Sequence, residues 1–297
     1  MWLLAALVLG GMLVPMPGQW REIHALSDLA HAPIFGFLTL IILRGLRSRW
    51  PGSPLRSSLV AWVMTVALGV AIEILQGQTG RSASWHDVLA DASGAGAFLT
   101  WASTPRAASR GVRIGLYSAA AVLVALPSAT PLLLLMDAAM QARDGPRLAS
   151  FESPLEISRW EFQDSRPSRS TSHATEGRWS LRVDMGRGDY PGATLDWPAP
   201  DWRPYDRLEF DTYLESSPGL DLVVKIEDWR HDGRYGDRYH RKVRLRPGPN
   251  HTRIPLSEVE RAPDKRRLDL GRIRRLQFFT VGPSGPRTLY FDGIRLR

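Results

Sequence analysis

Five apolar segments fill the first half of this chain, at residues 2–16, 29–46, 59–75, 88–102 and 114–136. Crossing a hydrocarbon core about 30 Å thick takes roughly 20 apolar residues in a helix. Lipid offers no partner for a bare backbone amide, so runs of this kind are read as membrane-spanning helices. The first and fourth runs are short, and Trp20, Trp85 and Trp101 extend them as interfacial residues. The first lacks a basic leading region and a small-residue cleavage site, and Pro15 and Pro17 end it. It is therefore read as an uncleaved helix and not as a signal peptide.

Loop charges orient the five spans. Arg44 stands at the end of the second run and Arg47, Arg49 and Arg56 follow it, and Arg106, Arg110 and Arg113 follow the fourth, whereas the first and third loops carry only Arg21 and Arg81. By the positive-inside rule the N-terminus lies inside, and the C-terminal half lies outside the cytoplasmic membrane, in the periplasm. Composition changes sharply near residues 141–146, which divides the chain into a membrane domain, 1–143, and a domain of 144–297 rich in Arg, Asp, Trp, Tyr and Pro. The net charge of +8 is shared evenly between the halves, without a basic tail or an Arg-rich helix, so nucleic-acid binding is not expected. The absence of cysteine excludes disulfides, Cys-ligated zinc and thiol catalysis.

Ionisable and amide side chains stand at the ends of these apolar runs. Asp28 and His31 open the second, Glu73 and Gln76 close the third, Arg81 follows in the loop, and Asp87 and Asp91 open the fourth. A charge at mid-bilayer costs about 2.5–3.5 kcal/mol on insertion scales, so such residues are paired or functional. Each pair is spaced one helical turn apart, on one helix face. The topology puts all seven at one depth, near the outer surface. Such a set can perform acid–base chemistry, hold a cation through Asp28, His31, Glu73 and Asp87, or bind a phosphate-bearing lipid-linked head group through Arg81. The structural alternative is a buried polar network, with Arg81 paired to Glu73 or Asp87 and His31 paired to Asp28. His24 and His86 are read as interfacial loop residues, and Asp137 as the end of the fifth span.

The pattern Asp28-x-x-His31, then Glu73-Ile-Leu-Gln76, then Arg81-Ser-Ala-Ser-Trp-His-Asp87-x-x-x-Asp91-x-x-Gly94 resembles the VanZ-like family of small polytopic membrane proteins, over about residues 1–136. Leu29, Ala32 and Asp91 depart from that family's usual residues. The resemblance implies cell-envelope biology of the kind linked to glycopeptide resistance, without a defined reaction.

The C-terminal half alternates apolar and polar residues over short runs: 180–185, 193–197, 207–214, 221–228, 240–245, 252–256, 275–281 and 288–296. Pro- and Gly-rich turns separate them. Short strands with such turns predict an all-β sandwich or barrel. Residues 174–183, 205–211 and 289–296 resemble carbohydrate-binding modules of the jelly-roll, galactose-binding-like type. Sugar binding needs aromatic faces and forked polar side chains, and residues 227–239 carry both. Trp229, Tyr235 and Tyr239 are candidate platforms, with Asp228, Asp237 and Arg238 as polar contacts. Trp179 and Phe210 are expected in the core. The resemblance also implies a structural calcium, for which Glu152 and Asp292 are the candidate ligands.

The expected protein is thus a five-helix membrane bundle followed by an all-β sandwich. Its expected partners are membrane lipid and a glycan or lipid-linked saccharide at the outer face, with no nucleic acid. An enzyme using the polar cluster, and an assembly protein in which that cluster is only a network, remain alternatives.

Overall fold

A computed structural model describes residues 21–78, 84–104, 108–198 and 201–297. The chain divides into two compact units, 1–136 and 137–297. The first apolar run and Arg81 lie outside the described residues.

The N-terminal unit is helical. Helix α1 is Arg21–Arg49, α2 is Pro54–Gln78, α3 is Trp85–Ser103 and α4 is Arg110–Asp144. Arg47 and Arg49 sit in the last turn of α1, where they complement the helix dipole. The helix stops at Arg49, just before Trp50-Pro51, because a proline disfavours α geometry in the residue that precedes it. Pro54 opens α2, a position where its missing N–H costs nothing. Three described helices are long and apolar enough to cross a membrane: Glu22–Arg49, Pro54–Gln78 and Arg110–Asp144, with mean hydropathy of 1.8, 2.1 and 2.1. Helix α3 has 19 residues and is not among these three. Its exposed Trp85 and Trp101 mark its two ends. His24 and His86 are helical, in α1 and α3, where loops were expected.

Helices α1, α2 and α3 pack around Phe35, Leu38, Ile42, Leu43, Ala61, Ile72 and Leu99. Small residues permit the approach: a Cβ on Gly94 would strike the carbonyl oxygen of Ala32. Close backbone contact of this kind is how helices associate where lipid removes the hydrophobic drive. Polar bonds bridge the same interfaces. The Thr39 and Thr65 hydroxyls lie 2.9 Å apart, and Trp62 Nε1 donates to the Ala92 carbonyl at 3.0 Å.

The C-terminal unit is a two-sheet antiparallel sandwich. Its strands are β1 (Arg147–Ala149), β2 (Trp160–Gln163), β3 (Ser165–Ser170), β4 (Ser180–Met185), β5 (Gly192–Asp196), β6 (Arg207–Leu214), β7 (Leu220–Asp228), β8 (Tyr239–Leu245), β9 (Gly248–Pro255), β10 (Ile273–Phe279) and β11 (Arg287–Leu296). A short helix α5, Leu256–Arg261, follows β9. One sheet runs β3-β4-β11-β6-β9, with β1 also on β11, and the other runs β2-β5-β10-β7-β8. Alternation sends one set of side chains inward, as in Leu181, Val183 and Met185 of β4. Phe278 sits between the layers, with ring centroids 4.9 Å from Phe210, 5.2 Å from Phe291 and 6.0 Å from Trp160. In β11 the register slips after Asp292, and Gly293 takes a positive φ of 58° there, as a bulge glycine does.

Strands β1 to β3 were not foreseen: β1 and β2 are only three and four residues long, and β3, Ser-Arg-Pro-Ser-Arg-Ser, carries no apolar alternation and lies at a sheet edge. Phe210 is in the core as expected. Trp179 is not: it is half-buried, with the Arg169 guanidinium 4.1 Å from its ring centroid. Asp137, expected to mark a helix end, is fully buried and forms a forked ion pair with Arg159, with Nη2–Oδ1 at 2.8 Å.

Candidate functional site

In the helical unit the polar side chains converge. His31 of α1, Glu73 of α2 and Asp87 of α3 are all buried, and their ligand-type atoms lie within 4.8 Å of one another. His31 Nδ1 lies 2.9 Å from Asp91 Oδ1, so Asp91, and not Asp28, is the partner of His31. The imidazole also stacks on Phe35, with centroids 5.9 Å apart. Glu73 Oε2 accepts the Ser84 backbone N–H at 2.8 Å, which fixes the carboxylate at the start of α3. Gln76 is buried one turn further along α2, and Asp28 is half-buried. A Cβ on Gly69 would press on the Asp91 carboxylate, so that glycine makes room for it. Helix periodicity placed each pair on one face, and the glycine contacts bring the faces together.

In the sandwich the expected glycan residues separate into two groups. Trp229 and Tyr235 are exposed, at 54% and 63%, and Arg238 lies 5.0 Å from the Tyr235 ring centroid. Tyr239 is 5% exposed, and its ring belongs to the core, where burial pushes its phenol up. Asp228 and Asp237 are both taken by Arg266. Its guanidinium reaches Asp228 at 2.5 and 2.7 Å and Asp237 at 2.5 and 3.0 Å. That hydrogen bonding holds the Asp237 carboxyl down at about 2. Arg266 was not singled out from the sequence, because it lies 38 residues beyond Asp228 and in no motif.

Glu152 and Asp292 clamp backbone amides. Glu152 Oε1 accepts Arg178 N at 2.8 Å and Trp179 N at 2.7 Å. Asp292 Oδ2 accepts Thr175 N at 2.6 Å and Glu176 N at 2.8 Å. Amide protons point at these oxygens, an arrangement that stabilises the 174–179 loop. Burial first, with Asp211 nearby, raises the Asp292 carboxyl to about 6.

The residues lining the outer face of the β2-β5-β10-β7-β8 sheet follow from its register. Glu161, Thr194, Gln277, Lys225 and His240 form one row across the strands, and Asp196, Arg275 and Glu227 form the next. Arg275 Nε donates to Asp196 at 2.6 Å, Gln277 to Thr194 at 2.9 Å, and Lys225 pairs with Glu227. Burial lowers the Lys225 amine, and the Asp196 bond raises the Arg275 guanidinium. Tyr235 packs at a tilt against His240 at one end, with centroids 4.0 Å apart. At the other end Tyr190, 51% exposed, packs edge-on to Phe279. Four residues of strand separate the Arg275 and Phe279 rows, about 13 Å.

The other sheet carries a pocket of ≈ 430 Å³ on its outer face, lined by His173, Asp211, Tyr213, Asn250, His251 and Tyr290 among others. His173 lies flat on Tyr213 with centroids 3.4 Å apart, so that ring face is already covered.

No family model matches the chain, and no curated protein matches it. Among solved structures it is similar to an exo-β-agarase, at 18% identity and a TM-score of 0.42, covering 52% of this chain and 25% of that one. It is also similar to a family 11 carbohydrate-binding module from Clostridium thermocellum in complex with a β-1,3-1,4-mixed-linked tetrasaccharide, at 18% identity and a TM-score of 0.39, covering 51% of this chain and 94% of that one. A family 30 module of a cellulosomal cellulase from the same organism aligns at 19% identity and a TM-score of 0.36, covering 52% and 92%. The chain thus spans about a quarter of the agarase's length. The VanZ-like resemblance of the helical half rests on the residues quoted above alone.

Proposed function

We propose that this chain is a membrane-anchored glycan-binding protein whose sandwich holds a saccharide chain on the outer face of the β2-β5-β10-β7-β8 sheet. The observation that carries the reading is the composition of that face. Exposed aromatic rings, Tyr235 and Tyr190, stand at its two ends. Between them runs a ladder of polar side chains, forked in Asp196, Arg275, Glu227 and Gln277, with the Lys225 ammonium and the Thr194 hydroxyl among them. Aromatic faces suit the apolar faces of pyranose rings, and planar amide, carboxylate and guanidinium groups suit paired hydroxyls. Trp229 and Arg238, beside Tyr235 in the β7–β8 connection, extend the same surface.

The membrane part of the proposal is a multi-pass protein of five spans, with the sandwich outside. Loop arginines support it, as do the three apolar helices. Binding at the outer face of the membrane puts an envelope glycan, free or lipid-linked, within reach. The VanZ-like resemblance agrees with such a setting.

The test is binding of the full chain in detergent to immobilised envelope glycans and to mixed-linked β-glucan, the ligand class of the family 11 module. Tyr235→Ala and Arg275→Ala are each expected to weaken binding about five- to thirty-fold, roughly 1–2 kcal/mol. Tyr213→Ala, on the other sheet, is expected to leave it unchanged. Binding lost only with Tyr213→Ala moves the site to the opposite face, and no binding to any glycan ends the proposal. Reporter fusions that place the C-terminus in the cytoplasm would overturn the topology.

A further inference from the structure

A second site lies in the helical unit, independent of the sandwich reading. We propose that His31, Glu73 and Asp87 bind a divalent transition cation of the Zn²⁺ or Mn²⁺ class, with Asp91 as the positioning residue behind His31.

Three observations carry this. Three different helices supply one potential ligand each, and the ligand-type atoms lie within 4.8 Å of one another in a buried setting. The second observation is chemical: Glu73 and Asp87 put two carboxylate oxygen donors beside the imidazole, a mixed nitrogen and oxygen set of the kind that holds such cations. The third observation is the state of His31. Its Nδ1 is engaged by Asp91 at 2.9 Å, which assigns the ring's orientation. Its Nε2 is buried in a residue 1% exposed and has no hydrogen-bond partner among the described residues. A buried ring nitrogen is normally satisfied in a closed polar network. A carboxylate behind one nitrogen with the other left available is the arrangement that orients metal-bound histidines.

The donor set narrows the ion. One imidazole with two carboxylates suits Zn²⁺ or Mn²⁺ better than Ca²⁺, which takes six to eight oxygens, and the chain has no thiolate to select softer metals. Glu73 is held by the Ser84 amide, so its ligand geometry is preset.

The experiment uses the full chain, without a polyhistidine tag, purified in detergent from metal-replete cells. Elemental analysis is expected to give about one equivalent of zinc or manganese per chain. After chelator treatment, Zn²⁺ or Mn²⁺ added alone should restore it saturably. Asp87→Asn and His31→Ala are expected to abolish binding, and Asp91→Asn to weaken it about 10- to 100-fold. Gel filtration and far-UV circular dichroism report whether each variant is folded. Should the variants not fold, X-ray absorption on the wild-type zinc form decides. It should show a nitrogen and oxygen shell at about 2.0–2.2 Å with imidazole scattering. Absence of saturable binding, full retention in folded His31→Ala, or a shell without imidazole each overturns the proposal.

Discussion

Arg266→Met offers the sharpest test of how the sandwich is held together. Asp228 is fully buried, and its carboxylate receives two charge-assisted bonds from Arg266, at 2.5 and 2.7 Å. Two backbone amides complete its shell, Asp269 N at 2.8 Å and Arg230 N at 3.2 Å. Methionine keeps much of the arginine's bulk and removes the charge. Asp228 then keeps its amide bonds but loses its counter-ion, and a buried ion left without its partner typically costs about 3–5 kcal/mol. For a unit of this size each kcal/mol moves the melting temperature by about 2–4 °C, so the midpoint should fall by roughly 6–20 °C. The assay is thermal and urea unfolding of residues 137–297, which enclose their own core, followed by tryptophan fluorescence. Adding Asp228→Asn to Arg266→Met removes the stranded charge and should recover part of the loss.

The same variant carries a pH signature. Arg266 holds the Asp237 carboxyl at about 2 in the folded unit, against about 3.9 unfolded. The stabilisation from that pairing is full above pH 4 and is lost as pH falls toward 2. Wild type should therefore weaken steeply over that window, and Arg266→Met should weaken less. A loss under 1 kcal/mol with an unchanged acid slope would refute the assignment of Arg266 as the clamp.

Other outcomes follow from the same structure. Asp292, raised to about 6 mainly by burial, works in the opposite sense to Asp237. Its contribution is greatest below about pH 4 and is lost as pH rises through 6, so the urea midpoint should climb as pH falls from 7 to 5, and Asp292→Asn should flatten that climb. Phe278→Ala empties the space between Phe210, Phe291 and Trp160 and should cost about 3–5 kcal/mol by denaturant titration. Gly94→Val drives side-chain atoms into the Ala32 backbone, and should lower the yield of monodisperse protein in detergent while the sandwich unfolds as before.

Much of the architecture was legible in the residues. Strands such as β4 and β6 were visible as runs of alternation, because each inward side chain lies two residues from the next. The helices were visible as long apolar runs. Strand β3 was not, since an edge strand of polar residues with Pro167 and no apolar side chain to bury leaves no pattern. Part of the candidate site was legible as well: the one-turn spacing of Asp28 and His31, and of Asp87 and Asp91, marked the helix faces.

Partner choice is where local sequence stopped and tertiary structure took over. By itself the sequence determined which half is helical, which half is sheet, and which polar side chains interrupt apolar runs. These properties depend on neighbours within a few residues, through backbone period and the cost of burying charge. Only the fold decided that His31 bonds to Asp91, 60 residues away, and not to Asp28, one turn away. Only the fold turned Tyr239 inward while leaving Tyr235 exposed, and gave Asp228 to Arg266. The physical reason is the same in each case. Register and helix contact bring distant residues to hydrogen-bond range, and at that range geometry selects one partner among several of like chemistry.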